Sequence, residues 1–283
     1  MRWRDLAELV RLPAALTVPG DTLAGAAAAG WPCGRRTAAL PVASACLYWA
    51  GMALNDWADR DLDADERPER PIPSGRVRPD QALGVAGALT AAGLAAAAVA
   101  GRRPAAIAAA LAGAVWAYDV VAKPTPFGPV VMASTRFLDV LMGGAGHRAA
   151  LAPATTVAAH VLAVTLVSRG EVHGTTSDLG RVAVATTAGV GLAAAASGRG
   201  APSTLVTGTA LAATFGGTVL PAQLDVVRTP DAATARRATG VGLRGLVPLQ
   251  AALLAGRGAY RAAAGVLAAV PLARLGARVV SST

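Results

Sequence analysis

Ten apolar stretches of membrane-crossing length, parted by short polar turns, decide most of what this chain can become. They fall near residues 13–31, 37–55, 80–100, 104–121, 129–146, 153–168, 181–198, 203–223, 239–256 and 259–276. Runs of about 17 to 22 residues match a hydrocarbon core of ~30 Å when wound as helices. Charged residues make up only 15% of the sequence, against about 25% in soluble domains. Inside lipid each backbone N–H and C=O has to be bonded within its own segment, so the expected fold is all-α, a polytopic membrane helical bundle. Small residues such as AAAAG at 26–30 and GLAAAA at 93–98 let such helices approach closely. Arg244 interrupts the ninth run and makes it the weakest. No repeat, low-complexity segment or second soluble domain is visible, so residues 1–283 read as a single domain.

Connections such as 32–36 and 101–103 are a few residues long and force neighbouring helices to be antiparallel. Three others, 56–79, 169–180 and 224–238, are longer and polar, and lie on the side of the N-terminus. That side carries sixteen Arg and Lys residues and the other carries eight. The positive-inside rule therefore places the N-terminus and the three polar loops in the cytoplasm, with the plasma membrane as the expected location. The net charge of +9 is spread singly or in pairs at the ends of apolar runs. This is a distribution for topology and lipid phosphates, and it argues against nucleic acid as a partner. Cys33 and Cys46 form no CxxC and support neither a disulfide framework nor a metal knuckle. The start, MRWRDLAELVRLP, is charged and has no A-x-A-type site, so a cleaved signal peptide is not expected.

Against this background residues 55–75, NDWADRDLDADERPERPIPSG, stand apart. Eight of the seventeen acidic residues lie between Asp56 and Asp80. Asp56, Asp59 and Asp63 recur at intervals of three and four, so a helix puts them on one face, with Asn55 at its edge. Stacked like charges repel unless a cation sits among them. Mg²⁺ prefers one or two carboxylates with water and phosphate oxygens, so the pattern suits a metal-bridged diphosphate. A charged solvated loop is the plainer alternative, and it fits Asp61 and Asp65, which fall off the shared face. The prolines that follow forbid helix and hold an extended loop, which can present Arg67 and Arg70 to phosphate oxygens. Contact with lipid phosphates is the competing role for both arginines.

NDxxDxxxD followed by RPxRPIPSG resembles the first aspartate-rich motif of the UbiA superfamily of intramembrane prenyltransferases, and the resemblance extends over nearly the whole chain. Tyr118 and Lys123, after the fourth run, match that family's diphosphate-contacting loop, and Arg11-Leu12-Pro13 resembles its basic entry motif. Among subgroups the EboC-like branch looks nearest, with digeranylgeranylglyceryl phosphate synthases more distant. The resemblance implies nine core helices around a central cavity, a cytoplasmic cap, and Mg²⁺-dependent use of an allylic prenyl diphosphate; a tenth helix follows if the last run also crosses.

The family's second acidic motif departs here to Ser168-Arg169-Gly170-Glu171-Val172-His173-Gly174. Glu171 can still ligate metal beside Asp56, Asp59 and Asp63, while Arg169 adds a positive charge for the substrate. One tightly held ion and a weaker second are therefore expected. His173 is open between a ligand or base and an ordinary loop residue. Within the runs, Arg136 and Asp139 are three apart and can pair with each other. Asp21 has no basic residue within reach on its own helix, which makes it a candidate substrate contact. Asp119 follows Tyr118 and is read as facing the cavity. His160 reads as a packed polar residue. Trp49, Trp57 and Trp116 are candidates to line a prenyl tunnel or steady a carbocation, and Trp3 and Trp31 read as interfacial anchors.

The leading expectation is an enzyme that ionises an isoprenyl diphosphate and transfers the prenyl group to a small acceptor of unknown identity, with membrane lipid around it. Two alternatives stay open. One is a UbiA-type terpene cyclase, which needs no acceptor; the other is a lipid-binding relative without activity.

Overall fold

The computed structural model describes residues 1–12 and 18–280; Pro13 of the entry motif and part of the first apolar run lie outside them. Every regular element among the described residues is helical. Two helices are short: α1 (Trp3–Leu9) and α4 (Arg60–Glu66). The other ten follow the ten apolar runs in order: α2 (Pro19–Ala28), α3 (Ala39–Ala58), α5 (Pro79–Ala100), α6 (Arg102–Ala117), α7 (Gly128–Gly143), α8 (Leu151–Ser168), α9 (Ser177–Ala196), α10 (Pro202–Arg228), α11 (Ala232–Ala255) and α12 (Tyr260–Val280). Among the described residues, seven helical segments are long and apolar enough to cross a membrane. The starts are locally encoded. Pro19, Pro79 and Pro202 occupy first turns, where a missing N–H costs nothing. Thr176 and Asp231 cap α9 and α11 by accepting from the N–H of Leu179 and of Thr234.

The ninth run is the exception to its sequence expectation. Far from being weak, α11 is the most deeply enclosed spanning helix, and every residue from Gly245 to Gly256 is buried. Arg244 does not interrupt it, because its side chain points outward. One charge on the outer face of a helix leaves the opposite face free to pack.

The helices meet backbone to backbone where glycine allows. A Cβ on Gly25 of α2 would lie 1.8 Å from the Val140 carbonyl oxygen of α7, and one on Gly143 would lie 1.9 Å from that of Thr22. This contact sets α2 against α7 and fixes which of their polar groups meet.

The three polar loops gather at one end of the bundle with the N-terminus. Arg76 of the 67–78 loop grips Glu8 of α1 with both guanidinium Nη atoms, at 2.5 and 2.8 Å, and also reaches Asp5 and the Glu69 carbonyl. Arg169 donates to the Thr125 carbonyl, and the Thr175 N–H to that of Pro230. Leu9, Val10, Ile72 and Val77 pack with Ala53 and Leu54, seating α1 and the loop as a cap on α3 and α5.

Candidate active site

Beneath this cap lies a cavity of about 230 Å³. Three helices each turn one face to it, at the spacing a helix face requires. From α3 come Ser44, Leu47, Tyr48, Gly51, Met52 and Asn55; from α6 and the turn after it Leu111, Val115, Tyr118 and Asp119; from α7 Met132, Thr135, Arg136 and Asp139. Tyr118–Ala122 forms a π turn, closed by the Lys123 N–H on the Tyr118 carbonyl at 2.9 Å. Such wide turns re-aim side chains. Here Tyr118 and its neighbour Asp119 both border the cavity, and Asn55 Nδ2 donates to Asp119 Oδ1 at 3.2 Å.

At the cap end, carboxylates and cations interleave. Asp56 is buried and accepts from Arg11 Nη2 at 2.8 Å, with Arg70 Nη1 at 3.4 Å. Arg70 also donates to Asp63 Oδ2 at 2.5 Å, and Arg67 stands 3.8 Å from the same carboxyl group. Asp59, more open than the other two, is bonded to Lys123. Arg11 reaches Asp56 from a left-handed backbone with φ +47°, a conformation that costs a non-glycine residue of order 1–3 kcal/mol unless its surroundings enforce it. Asp61 and Asp65 are exposed, as their spacing implied.

Asn55, Asp56, Asp59, Asp63, Arg70, Tyr118 and Lys123 are thus brought together, with Arg67 at the margin. Glu171 is not among them. The expected convergence of Asp56, Asp59, Asp63 and Glu171 is not found: among the described residues no three acidic, His or Cys side chains come close enough to hold a metal ion. The physical reason is the countercharge. The aspartates are drawn toward Arg11, Arg70 and Lys123, and Glu171 is engaged through its backbone, its carbonyl by Arg236 and its N–H by the Ser168 carbonyl. The smaller demand of Mg²⁺, one or two hard carboxylate oxygens with water and phosphate, is still met by Asp56 and Asp59, one turn apart beside Asn55. Arg169 lies beyond Tyr118, exposed, in a second recess shared with Lys123, Thr165 and Ser168.

Three further expectations are corrected. Arg136 does not pair with Asp139: its Nε lies 2.9 Å from Asp21 Oδ2 on α2. Asp21, read as a substrate contact, is fully buried in that ion pair and accepts from Gln250 Nε2 at 2.7 Å. Same-helix spacing held no sign of a partner on another helix. Trp49, Trp57 and Trp116 pack against the cap-side core rather than the cavity, and Trp116 Nε1 donates to Thr90. His160 behaves as read, buried edge-on against Phe215 with Nε2 2.9 Å from the Gly242 carbonyl.

Arg11 and Asp119 are members of the site that spacing alone did not assign to it. The signals were Arg11's place in the RLP motif and the adjacency of Asp119 to Tyr118.

A model of the UbiA prenyltransferase family matches residues 15–239. The chain is 43% identical over 83 residues to the digeranylgeranylglyceryl phosphate synthase of Natronomonas pharaonis, covering 29% of this chain and 30% of that protein. It is 39% identical over 114 residues to the enzyme of the same name from Methanopyrus kandleri, covering 40% and 42%. The matched stretches therefore span less than half of these relatives. In fold, the chain is similar to an apo UbiA homolog from Aeropyrum pernix K1, with TM-score 0.64 and 16% identity over 85% of this chain and 96% of that one. It is also similar to a UbiA homolog from Archaeoglobus fulgidus bound to GPP and Mg²⁺, with TM-score 0.56 and 12% identity over 88% and 99%.

Proposed function

Since this integral membrane chain belongs to the UbiA prenyltransferase family, we propose that it ionises an allylic isoprenyl diphosphate beneath the cap and transfers the prenyl group to an acceptor. The observation that carries this is the alternation of Asp56, Asp59 and Asp63 with Arg11, Arg70 and Lys123 at the mouth of an apolar-walled cavity. Cations held ready by carboxylates are free to turn to phosphate oxygens when a diphosphate arrives, leaving the carboxylates for a divalent ion.

Asp56 and Asp59, with Asp63 behind them, are the residues that would hold Mg²⁺. When bound, the ion stabilises negative charge on the departing diphosphate. The chain's own groups do the rest. The C1–O bond breaks with its electron pair going to the diphosphate, where Arg11, Arg70 and Lys123 neutralise the developing charge. The acceptor oxygen or carbon then forms its bond to C1 and gives up a proton. Asp119 is placed to take it: Asn55 engages Oδ1, while Oδ2 faces the cavity beside Gly51. Leu47, Met52, Val115 and Met132 keep water from the allylic cation. The relatives above are named for a prenylated glyceryl phosphate, which favours transfer over acceptor-free cyclisation. By the charge bias of the loops, the cap faces the cytoplasm.

The test is diphosphate release by purified protein given geranyl, farnesyl or geranylgeranyl diphosphate, with and without Mg²⁺ and with a membrane extract as acceptor source. Mg²⁺-dependent release with a prenylated product is expected. Binding with no release under any condition would leave the chain a carrier.

A further inference from the structure

The cavity is polar at both ends and mostly apolar between them, Tyr48 and Thr135 being the exceptions. Its upper end is Asn55, Tyr118 and Asp119. At its lower end are Ser44, Arg136 and Asp139. Ser44 lies eleven residues from Asn55 along α3, about 16 Å at the ~1.5 Å rise of a helix. Asp139 lies at the level of Ser44, whose hydroxyl donates to Asp139 Oδ2 at 2.6 Å. Among the described residues none deeper than Ser44 on α3 or Asp139 on α7 lines the cavity.

This floor is built from charge. Asp139 is 3% exposed and its Oδ1 has no hydrogen-bond partner. Among the described residues Arg136 is the guanidinium at this floor, and it pairs with Asp21 rather than Asp139. The cavity therefore ends on side chains that are already packed and buried, which leave no room for further hydrocarbon.

We infer, on the strength of the prenyl-transfer reading above, that Ser44, Arg136 and Asp139 form a polar stop that sets the length of the prenyl chain, admitting two or three isoprene units and excluding a fourth. The diphosphate sits against Asp56, Arg11 and Arg70, so C1 lies at the level of Asn55 and the chain runs down α3. An isoprene unit contains four main-chain carbon–carbon bonds of ~1.5 Å, and in zigzag covers about 5 Å. Three units span about 15 Å and end above Ser44, given the ~1.5 Å helical rise per residue. A fourth would meet Asp139.

The experiment compares kcat/KM for diphosphate release from geranyl, farnesyl and geranylgeranyl diphosphate, using full-length protein in detergent or vesicles. The C20 substrate is expected to be worse than C15 by ~tenfold or more, the lower end of the discrimination a closed pocket makes against surplus hydrocarbon. The double variant Ser44→Ala/Asp139→Ala, with the floor removed, is expected to raise the C20-to-C15 ratio by about the same factor. Should that variant fail to fold, Ser44→Ala alone, which keeps the Asp139 carboxylate, is expected to move the C20-to-C15 ratio in the same direction by less. Wild-type protein that uses C20 as well as C15 overturns the stop and leaves the transfer reading intact. So does a folded double variant, or a folded Ser44→Ala protein where the double variant does not fold, with an unchanged ratio. No release from any of the three diphosphates overturns the transfer reading, and the stop with it.

Discussion

Arg11 reaches across 45 residues of sequence to place its Nη2 2.8 Å from Oδ1 of Asp56. The pair joins the N-terminal segment to the end of α3 at the point where the diphosphate is proposed to sit. Asp56→Ala removes the carboxylate that both Arg11 and Arg70 approach, and diphosphate release is expected to fall by ~10²–10³ or more, the range seen when one preorganised electrostatic group is lost. Arg11→Ala should lower release while leaving the other cations in place. A radiolabelled or coupled diphosphate assay decides both, and normal turnover by Asp56→Ala would remove the mechanism.

Arg70 serves two buried carboxylates at once. Its Nη1 lies 2.5 Å from Asp63 and 3.4 Å from Asp56. Arg70→Ala leaves Asp56 with Arg11 alone and Asp63 with only Arg67, 3.8 Å away, and an uncompensated buried charge costs about 3–5 kcal/mol. The array borders solvent at the cap, with the Arg70 side chain 19% exposed, so the lower end of that range is expected. Thermal melting in detergent should show the loss, and added Mg²⁺ should recover part of it by supplying countercharge to the same carboxylates.

Asp21 and Arg136 form the other buried pair, in the middle of the bundle. Breaking it from one side with Asp21→Ala should cost ~3–5 kcal/mol. Removing both partners, in Asp21→Ala/Arg136→Met, should be less harmful than the sum of the single changes, because the two charges of the pair leave together and Asp139 keeps the Ser44 hydroxyl. Melting of the three variants against wild type measures the coupling. Strict additivity would mean that the 2.9 Å contact contributes nothing.

These contacts also mark how far the sequence could be read. The helices were legible because lipid leaves the backbone no other arrangement, and each of the ten runs has its helix. Asp56, Asp59 and Asp63 were legible because their partners in the pattern are three and four residues away. Lys123 beside Asp59 came from likeness to a family, since 64 residues separate them. Arg136 beside Asp21 had no local signal at all; the close approach of α2 and α7 at Gly25 and Gly143 makes that pair, and a helix spacing describes one helix only. Glu171 shows the converse error, a residue of suitable chemistry in the expected loop, with its side chain outside the carboxylate cluster. The ninth run failed through counting a charge without asking which face carried it.

The same glycine contact gives a packing prediction. A Cβ on Gly143 would lie 1.9 Å from the Thr22 carbonyl oxygen and 2.5 Å from Thr22 Cα, all backbone that no rotamer change can move. Gly143→Ala should force α2 and α7 apart at a cost of ~1–3 kcal/mol or more. Lowered melting temperature is expected, and diphosphate release should fall with it because α7 carries one wall of the cavity. By contrast Gly113→Ala, where an added Cβ meets nothing within 4 Å, should be silent in both assays.

The cap is fastened by Arg76, and here shape matters as much as charge. Its guanidinium takes Glu8 with both Nη atoms while also reaching Asp5 and the Glu69 carbonyl. Arg76 is 29% exposed on its side chain, and exposed pairs contribute only about 0–1 kcal/mol to folding, so Arg76→Ala should melt close to wild type. Its effect belongs to the loop that delivers Arg70 to Asp56 and Asp63. With that loop unfastened, the site must be reassembled at each binding event, and KM for the prenyl diphosphate should rise by roughly tenfold with kcat less changed, the pattern of lost ground-state binding. Lys in place of Arg76 keeps the charge and loses the two-pronged grip. Arg76→Lys should therefore resemble Arg76→Ala in KM; full rescue by lysine would show that charge alone holds the cap.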